Sequence, residues 1–327
     1  MRLVGRLLLR WEALLVVLIF AAGVWSTTLS PFFLHRANLL DLTTPYAYLG
    51  IMAFGLTFVV VAGEIDISVA STMTVSAVSF AQLWHAGVNV WLASLVGLLI
   101  AAGLGLVNGV LIAILNLPSL AVTLGTLAAY RGLAYVILGG NARSGFPTSF
   151  TNIGGGYIHN ELPYALLVLI GTAIVLGVVL HSTRFGRYLY TIGANREASR
   201  FSGVPDTRVR VSIFVLSGLT AGVAGIVYLG YFGSVQADAA SGSELITVVT
   251  AVVLGGVDIF GGAAQDLVVG GLLLGAILAG NVVRAAQERG LPWWRARRPQ
   301  KEVEKTESHA QISVNPGSET TQGGFTR

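Results

Sequence analysis

The constraint that decides most about this chain is a series of long apolar runs broken only by short polar stretches. Runs at residues 11–29, 46–63, 67–87, 90–115, 120–139, 163–181, 211–232 and 267–283 each have roughly the length that spans a bilayer as a helix. Only 11% of the 327 residues are charged, and 54% are hydrophobic. A soluble domain of this length carries roughly twice that charge density. In hydrocarbon the backbone must satisfy its own hydrogen bonds, which requires helices here. The 41 glycines suit close packing between such helices. The expected fold class is all-α, a polytopic membrane protein with about eight or nine transmembrane helices.

The segment 245–254 is only about half a span and closes on Gly255 and Gly256, so it reads as short or re-entrant. Arg2, Arg6 and Arg10 precede the first run, which is long for a signal peptide and lacks a convincing cleavage site. It reads as an uncleaved span with a cytoplasmic N-terminus. Six spans then return the chain to the cytoplasm at residues 182–210, where Arg184, Arg187, Arg196, Arg200, Arg208 and Arg210 cluster. Positive-inside bias puts that loop on the same side. Residues 141–161 read as an external loop. The membrane domain is expected over residues 1–284, with a polar, disordered tail over 285–327.

Several chemistries are excluded. The chain has no cysteine, so it has no disulfide, thiolate or Cys-based metal site. Its five histidines show no ligand spacing. No lysine occurs before Lys301 and no phosphate-binding loop motif is present, so if ATP drives this protein, another chain hydrolyses it. No constellation of acid, base and nucleophile is visible, no cofactor is expected, and the basic residues form no nucleic-acid stripe.

The informative string lies in the basic loop. Asn195 is a candidate N-cap for a short helix over 196–201. Gly203 is a natural residue just past its end, and Pro205 prevents continuation. Glu197, Ala198 and Phe201 fall on one face, a shape suited to a groove on a cytoplasmic partner.

At these residues the chain resembles the permeases of bacterial ABC importers of the monosaccharide and autoinducer-2 type. The stretch Gly193-Ala194-Asn195-Arg196-Glu197-Ala198-Ser199-Arg200-Phe201-Ser202-Gly203 is similar to their coupling loop. Gly63-Glu64-Ile65-Asp66-Ile67-Ser68-Val69-Ala70-Ser71 resembles an early signature of the family. Asn108-Gly109, Val122-Thr123-Leu124-Gly125-Thr126 and Arg131-Gly132-Leu133-Ala134 resemble its middle block, and residues 253–262 its late glycine block. The resemblance covers about residues 12–284 in order. It implies an inner-membrane permease that works with a separate ATPase, a second permease subunit (identical or related) and a periplasmic solute-binding protein. Gly193, Asn195, Glu197, Ala198, Phe201, Ser202 and Gly203 would then couple to the ATPase. Such permeases continue past the late span with a further apolar segment, which this sequence replaces by a polar tail, so a final family span is read as missing.

Candidate substrate-path residues are Glu64, Asp66, Ser68, Asn108, Thr123, Thr126 and Arg131. Each has a plainer role. Glu64 and Asp66 fit an Asx-type cap at the start of the third span, with both carboxylates in interfacial water. Arg131 contacts substrate, pairs with Glu64 or Asp66, or snorkels to the interface. Asn108, Thr123 and Thr126 tie helix to helix. Two other functions fit the same composition: an ion-gradient-driven secondary transporter, which would show paired broken helices, and a non-transporting truncated permease.

Overall fold

A computed structural model describes residues 21–255, except Ala22, 30–32, His35, Asn160, Glu161, Ala240 and Ser241. Most of the first span, most of the late glycine block, the run at 267–283 and the boundary at 284 lie outside the described residues.

The described chain is helical almost throughout. Residues 23–29 are helical and are followed by α1 (Arg36–Thr43) and a 3-10 turn (Thr44–Tyr46). Pro45 sits in that turn, where its missing N–H costs nothing, and it leads into α2 (Ala47–Val61). Next come α3 (Val69–His85), α4 (Val90–Ala113) and α5 (Ser119–Leu138). The side chain of Asn89 caps α4 by accepting from Trp91 N at 2.9 Å. A small outer group follows: β1 (Arg143–Ser144), α6 (Thr148–Gly155), β2 (Tyr157–Ile158) and β3 (Leu162–Pro163). The remainder is α7 (Tyr164–Ser182), α8 (Arg184–Ala194), α9 (Arg196–Phe201), α10 (Asp206–Phe232), β4 (Ser234–Val235) and α11 (Gly242–Leu254).

Among the described residues, five segments are long and apolar enough to cross a membrane: Thr44–Val61, Val90–Ala113, Ser119–Leu138, Tyr164–Ser182 and Asp206–Phe232. At 13 residues, α11 is about 20 Å long, well short of a hydrocarbon core of about 30 Å.

The centre of the fold is α10, which packs most extensively on α4 and then on α2, α3 and α6. Glycine makes the tightest of these contacts. A Cβ on Gly105 would lie 2.2 Å from Phe214 O, and one on Gly218 would lie 2.3 Å from Ala101 O. The α4 and α10 backbones therefore touch, which only small residues permit.

Hydropathy alone does not set burial. α3, rich in serine and threonine, is largely enclosed, and its hydroxyls find partners: Ser76 Oγ donates to Gly97 O on α4 at 2.8 Å, and Thr74 Oγ1 to Ala70 O at 3.1 Å. The oilier α7 turns Ile170, Ile174, Val175 and Val178 outward, as a lipid-facing helix must.

The structure adds detail to two expectations. Residues 141–161, expected as an external loop, hold short paired elements. β1 pairs antiparallel with β4 (Arg143 opposite Val235), and β2 with β3. Phe150 stacks on Phe80 with ring centroids 4.6 Å apart, and Phe146 stacks on it at 5.4 Å, so aromatic burial pins the segment. The helix that carries the seventh span begins at Asp206, five residues before the apolar run at 211–232, because Asp206 and Arg210 are both buried against partners and their charges are carried into the helix.

Candidate functional site

Two interruptions of the helical pattern carry the polar chemistry. The first separates α2 from α3. α2 ends on a left-handed glycine, Gly63, with φ 75°. Gly63 N donates to Val60 O at 2.8 Å and Glu64 N to Val59 O at 3.1 Å, the paired bonds of a Schellman ending. The chain then runs non-helically to Ser68, inside the protein. Its backbone is served by α5: Ile65 N donates to Ser119 Oγ at 3.2 Å, and Thr123 Oγ1 donates to Ser119 O at 2.8 Å while lying 3.2 Å from Ile65 O.

Both carboxylates of this break are buried. Glu64, 8% exposed, places Oε1 2.6 Å from both Nε and Nη2 of Arg210. Arg210 Nη2 also reaches Ile112 O at 3.2 Å. Asp66, 4% exposed, accepts at Oδ1 from Ser68 N (2.9 Å) and Ser68 Oγ (2.7 Å), and at Oδ2 from Ser217 Oγ (2.8 Å). Ser68 Oγ in turn accepts from Asn108 Nδ2 at 2.8 Å. The Tyr130 hydroxyl closes the chain, donating to Leu104 O at 3.0 Å with Asn108 Oδ1 3.3 Å away.

The structure thus gathers Glu64, Asp66, Ser68, Asn108 and Thr123 around one break. Asp66 does make the Asx-type contact to Ser68 N, but neither carboxylate lies in interfacial water, because α4, α5 and α10 enclose them. Arg131 pairs with neither of them; Arg210 holds Glu64, and Ser68 and Ser217 hold Asp66. Arg131 instead lies on the exposed face of α5, alongside Leu124, Leu133, Tyr135 and Val136. Thr126 is half-buried near it in sequence, with Oγ1 3.4 Å from Thr123 O. Arg210 and Ser217 escaped sequence reasoning. The available signal was that a buried Glu64 requires a cation, and that only arginines are on offer before Lys301.

The second interruption is the loop between α7 and α10. Thr183 starts α8, which buries Gly186, Leu189 and Ile192 and stacks Phe185 on Phe58 of α2. Asn195 then caps α9, accepting from Ala198 N at 2.9 Å. α9 closes as α2 does: Gly203 has φ 77°, Gly203 N donates to Arg200 O at 3.1 Å, and Val204 N to Ser199 O at 3.2 Å. Glu197, Ala198, Phe201, Ser202 and Gly203 are exposed, Phe201 at 89%, while Gly193 is half-buried. Two cations tie α9 to α10. Arg196 Nη2 lies 3.1 Å, and Arg200 Nε 3.7 Å, from Oδ2 of the buried Asp206.

Residues 38–304 match the family described as "Branched-chain amino acid transport system / permease component". The chain is 33% identical over 288 residues, 86% of each chain, to the Autoinducer 2 import system permease protein LsrD of Escherichia coli O9:H4 (strain HS). The proteins of the same name from Escherichia coli (strain K12) and Shigella flexneri match to the same extent. No solved structure matches the chain.

Proposed function

This chain belongs to that family of ABC-importer permeases, and on that premise we propose that it forms the translocation path for a monosaccharide or sugar-like solute and couples it to a separate ATPase through α9. Members of the family are multi-pass inner-membrane transport subunits rather than enzymes, and they work with ATPase and solute-binding partners. The N-terminus and α9 are assigned to the cytoplasmic side, by the arginines at 2–10 and 184–210.

One observation carries the coupling role. α9 is locally over-determined, with a capped start and a glycine-closed end, yet it presents Phe201 almost fully bare beside Glu197 and Ala198. An aromatic held out from a rigid short helix is an anchor for a pocket on a partner. Gly193, Asn195, Ser202 and Gly203 set the shape of that knob. Arg196 and Arg200 join α9 to Asp206, and so to the base of α10. α10 packs on α4, α2 and α3, so it moves as part of a rigid group, as alternating access requires.

The path is assigned to the exposed face of α5, facing the second permease subunit. Arg131 lies twelve residues into that helix, about 18 Å along it. Charges inside membrane helices almost always face water or protein, and this one is assigned there. Thr126 adds a half-buried hydroxyl five residues earlier on the same helix. Glu64, Asp66, Ser68, Asn108 and Thr123 act from behind this face, holding the break that α5 packs against. The sugar-type solute rests on the autoinducer-2 permeases that match 86% of the chain.

The test is uptake by proteoliposomes holding the full chain, its candidate ATPase and the candidate solute-binding protein. ATP-dependent, saturable uptake of labelled ribose or autoinducer-2 supports the proposal. Uptake of leucine alone moves the solute class to branched-chain amino acids. Uptake driven by an imposed ion gradient without ATP overturns the importer reading.

A further inference from the structure

Asp206 and Arg210 stand one turn apart on α10, each engaged on one side only. Asp206 uses Oδ2 for both Arg196 and Arg200, and its Oδ1 is buried without a hydrogen-bond partner. Arg210 uses Nε and Nη2 for Glu64, and its Nη1 is buried without a partner. A buried orphan acceptor and a buried orphan donor therefore sit at i and i+4 of one helix. That spacing suits an ion pair, and the acid precedes the base, which is the favourable order. Each orphan atom has something to gain from the other, and once α9 has left, the exchange only moves the uncompensated buried carboxylate from Asp206 to Glu64.

The two groups also sit between the two interruptions of the fold. Asp206 is the attachment of the exposed α9, and Arg210 is the attachment of the buried break through Glu64. The attachments differ in how easily they part. Arg196 and Arg200 are 41% and 58% exposed, so water takes them readily, whereas Asp206 is enclosed and needs a cation.

We propose that Asp206 and Arg210 form a two-position latch that links the short helix α9 to the buried break between α2 and α3. In the first position Arg196 and Arg200 hold Asp206 while Arg210 holds Glu64. When a partner draws α9 away, Asp206 loses both cations and closes on Nη1 of Arg210. Arg210 swings toward the start of α10, giving up both Glu64 and its bond to Ile112 O. The break is freed at Glu64 while Ser217 still holds Asp66, so it pivots about Asp66 and moves against α5. The inference rests on the reading of α9 as the ATPase-docking helix, but the latch is a property of this chain and is testable without any partner.

The absence of cysteine makes the test direct. Ile67→Cys is introduced as a single thiol in the break, and the full chain in lipid nanodiscs is labelled with a methanethiosulfonate reagent. Arg196→Ala with Arg200→Ala mimics the withdrawal of α9, and the latch predicts that labelling accelerates about tenfold, within the usual range of site-to-site coupling. Adding Asp206→Asn returns the rate close to the starting value, because no carboxylate draws Arg210 from Glu64. Glu64→Gln labels fast whether or not α9 is altered. The proposal is overturned if the two arginine substitutions leave the rate unchanged, or if Asp206→Asn does not reverse the acceleration. Simple unfolding would give fast labelling with Asp206→Asn as well, so it counts against the latch rather than for it. A separate arm adds the candidate ATPase and ATP to the chain with α9 intact. Acceleration there ties the latch to ATPase docking. No acceleration, with the reversal intact, leaves the latch standing and counts against the docking role of α9.

Discussion

The break before α3 and the helix α9 are built from the same local parts and end in opposite environments. Each is a short interruption between helices. Each has a Schellman glycine, Gly63 with φ 75° and Gly203 with φ 77°. Each has an Asx-type side chain bonded to a nearby backbone N–H, Asp66 to Ser68 N at 2.9 Å and Asn195 to Ala198 N at 2.9 Å. Yet the break buries two carboxylates among α4, α5 and α10, and α9 exposes nearly everything it carries. Local chemistry therefore sets the shape of such a segment, and the surrounding helices set its burial. On the proposed function, burial in turn decides the role: the paired, enclosed segment fixes geometry, and the bare one meets a partner.

The sharpest way to break this comparison is to remove a cation from each side. Arg210→Ala strands a buried Glu64, and should cost about 3–5 kcal/mol in reversible unfolding in detergent. Glu64→Met with Arg210→Met should recover most of that loss, since no charge is left uncompensated. Arg200→Ala on α9 should cost only about 0–1 kcal/mol, because its side chain is mostly in water. Similar costs at the two sites would mean that the break is not the dry site its hydrogen bonds describe.

A smaller contrast comes from the caps. Asp66→Ala leaves the hydroxyls of Ser68 and Ser217 without their acceptor, and should cost about 1–3 kcal/mol for each buried donor left unpaired. Asn195→Ala removes a cap in water, and should cost about 0.5–2 kcal/mol. Smaller still, Gly63→Ala and Gly203→Ala impose the same left-handed backbone penalty, about 1–2 kcal/mol. Equal losses at the two glycines would confirm that the two endings are the same device. Smallest of all is Phe201→Ala, which should leave the unfolding midpoint unchanged while weakening ATPase retention.

How far the sequence revealed these two segments follows from the range of the interactions that make them. α9 was legible almost residue by residue, since Asn195, Gly203 and Pro205 act within a few positions of one another. The helices 47–61, 90–113, 119–138 and 164–182 lie within two residues of the apolar runs at nearly every end, because lipid exposure writes itself into composition. The break was legible as a motif but not as a site. The cation for Glu64 lies 146 positions away, among arginines that charge bias already accounts for. The start of α10 was missed for the same reason: Asp206 and Arg210 read as loop until their partners are known. The outer segment 141–161 was read from its glycines and polar residues, while Phe146 and Phe150, which pin it to Phe80, are isolated aromatics with no periodic signal. The enclosure of α3 was hidden as well, because a serine- and threonine-rich helix is buried here by its hydroxyl bonds and small size rather than by oiliness.

The central claim is that α9 is where an ATPase takes hold of this permease. It is tested most directly by purifying the full chain through its own tag, after co-expression with the candidate ATPase, beside a Glu197→Arg/Phe201→Ala variant. The account predicts that the native chain retains the ATPase and that the variant, with an unchanged unfolding midpoint, loses it. Retention of the ATPase by the variant, or its absence from both, would contradict the account.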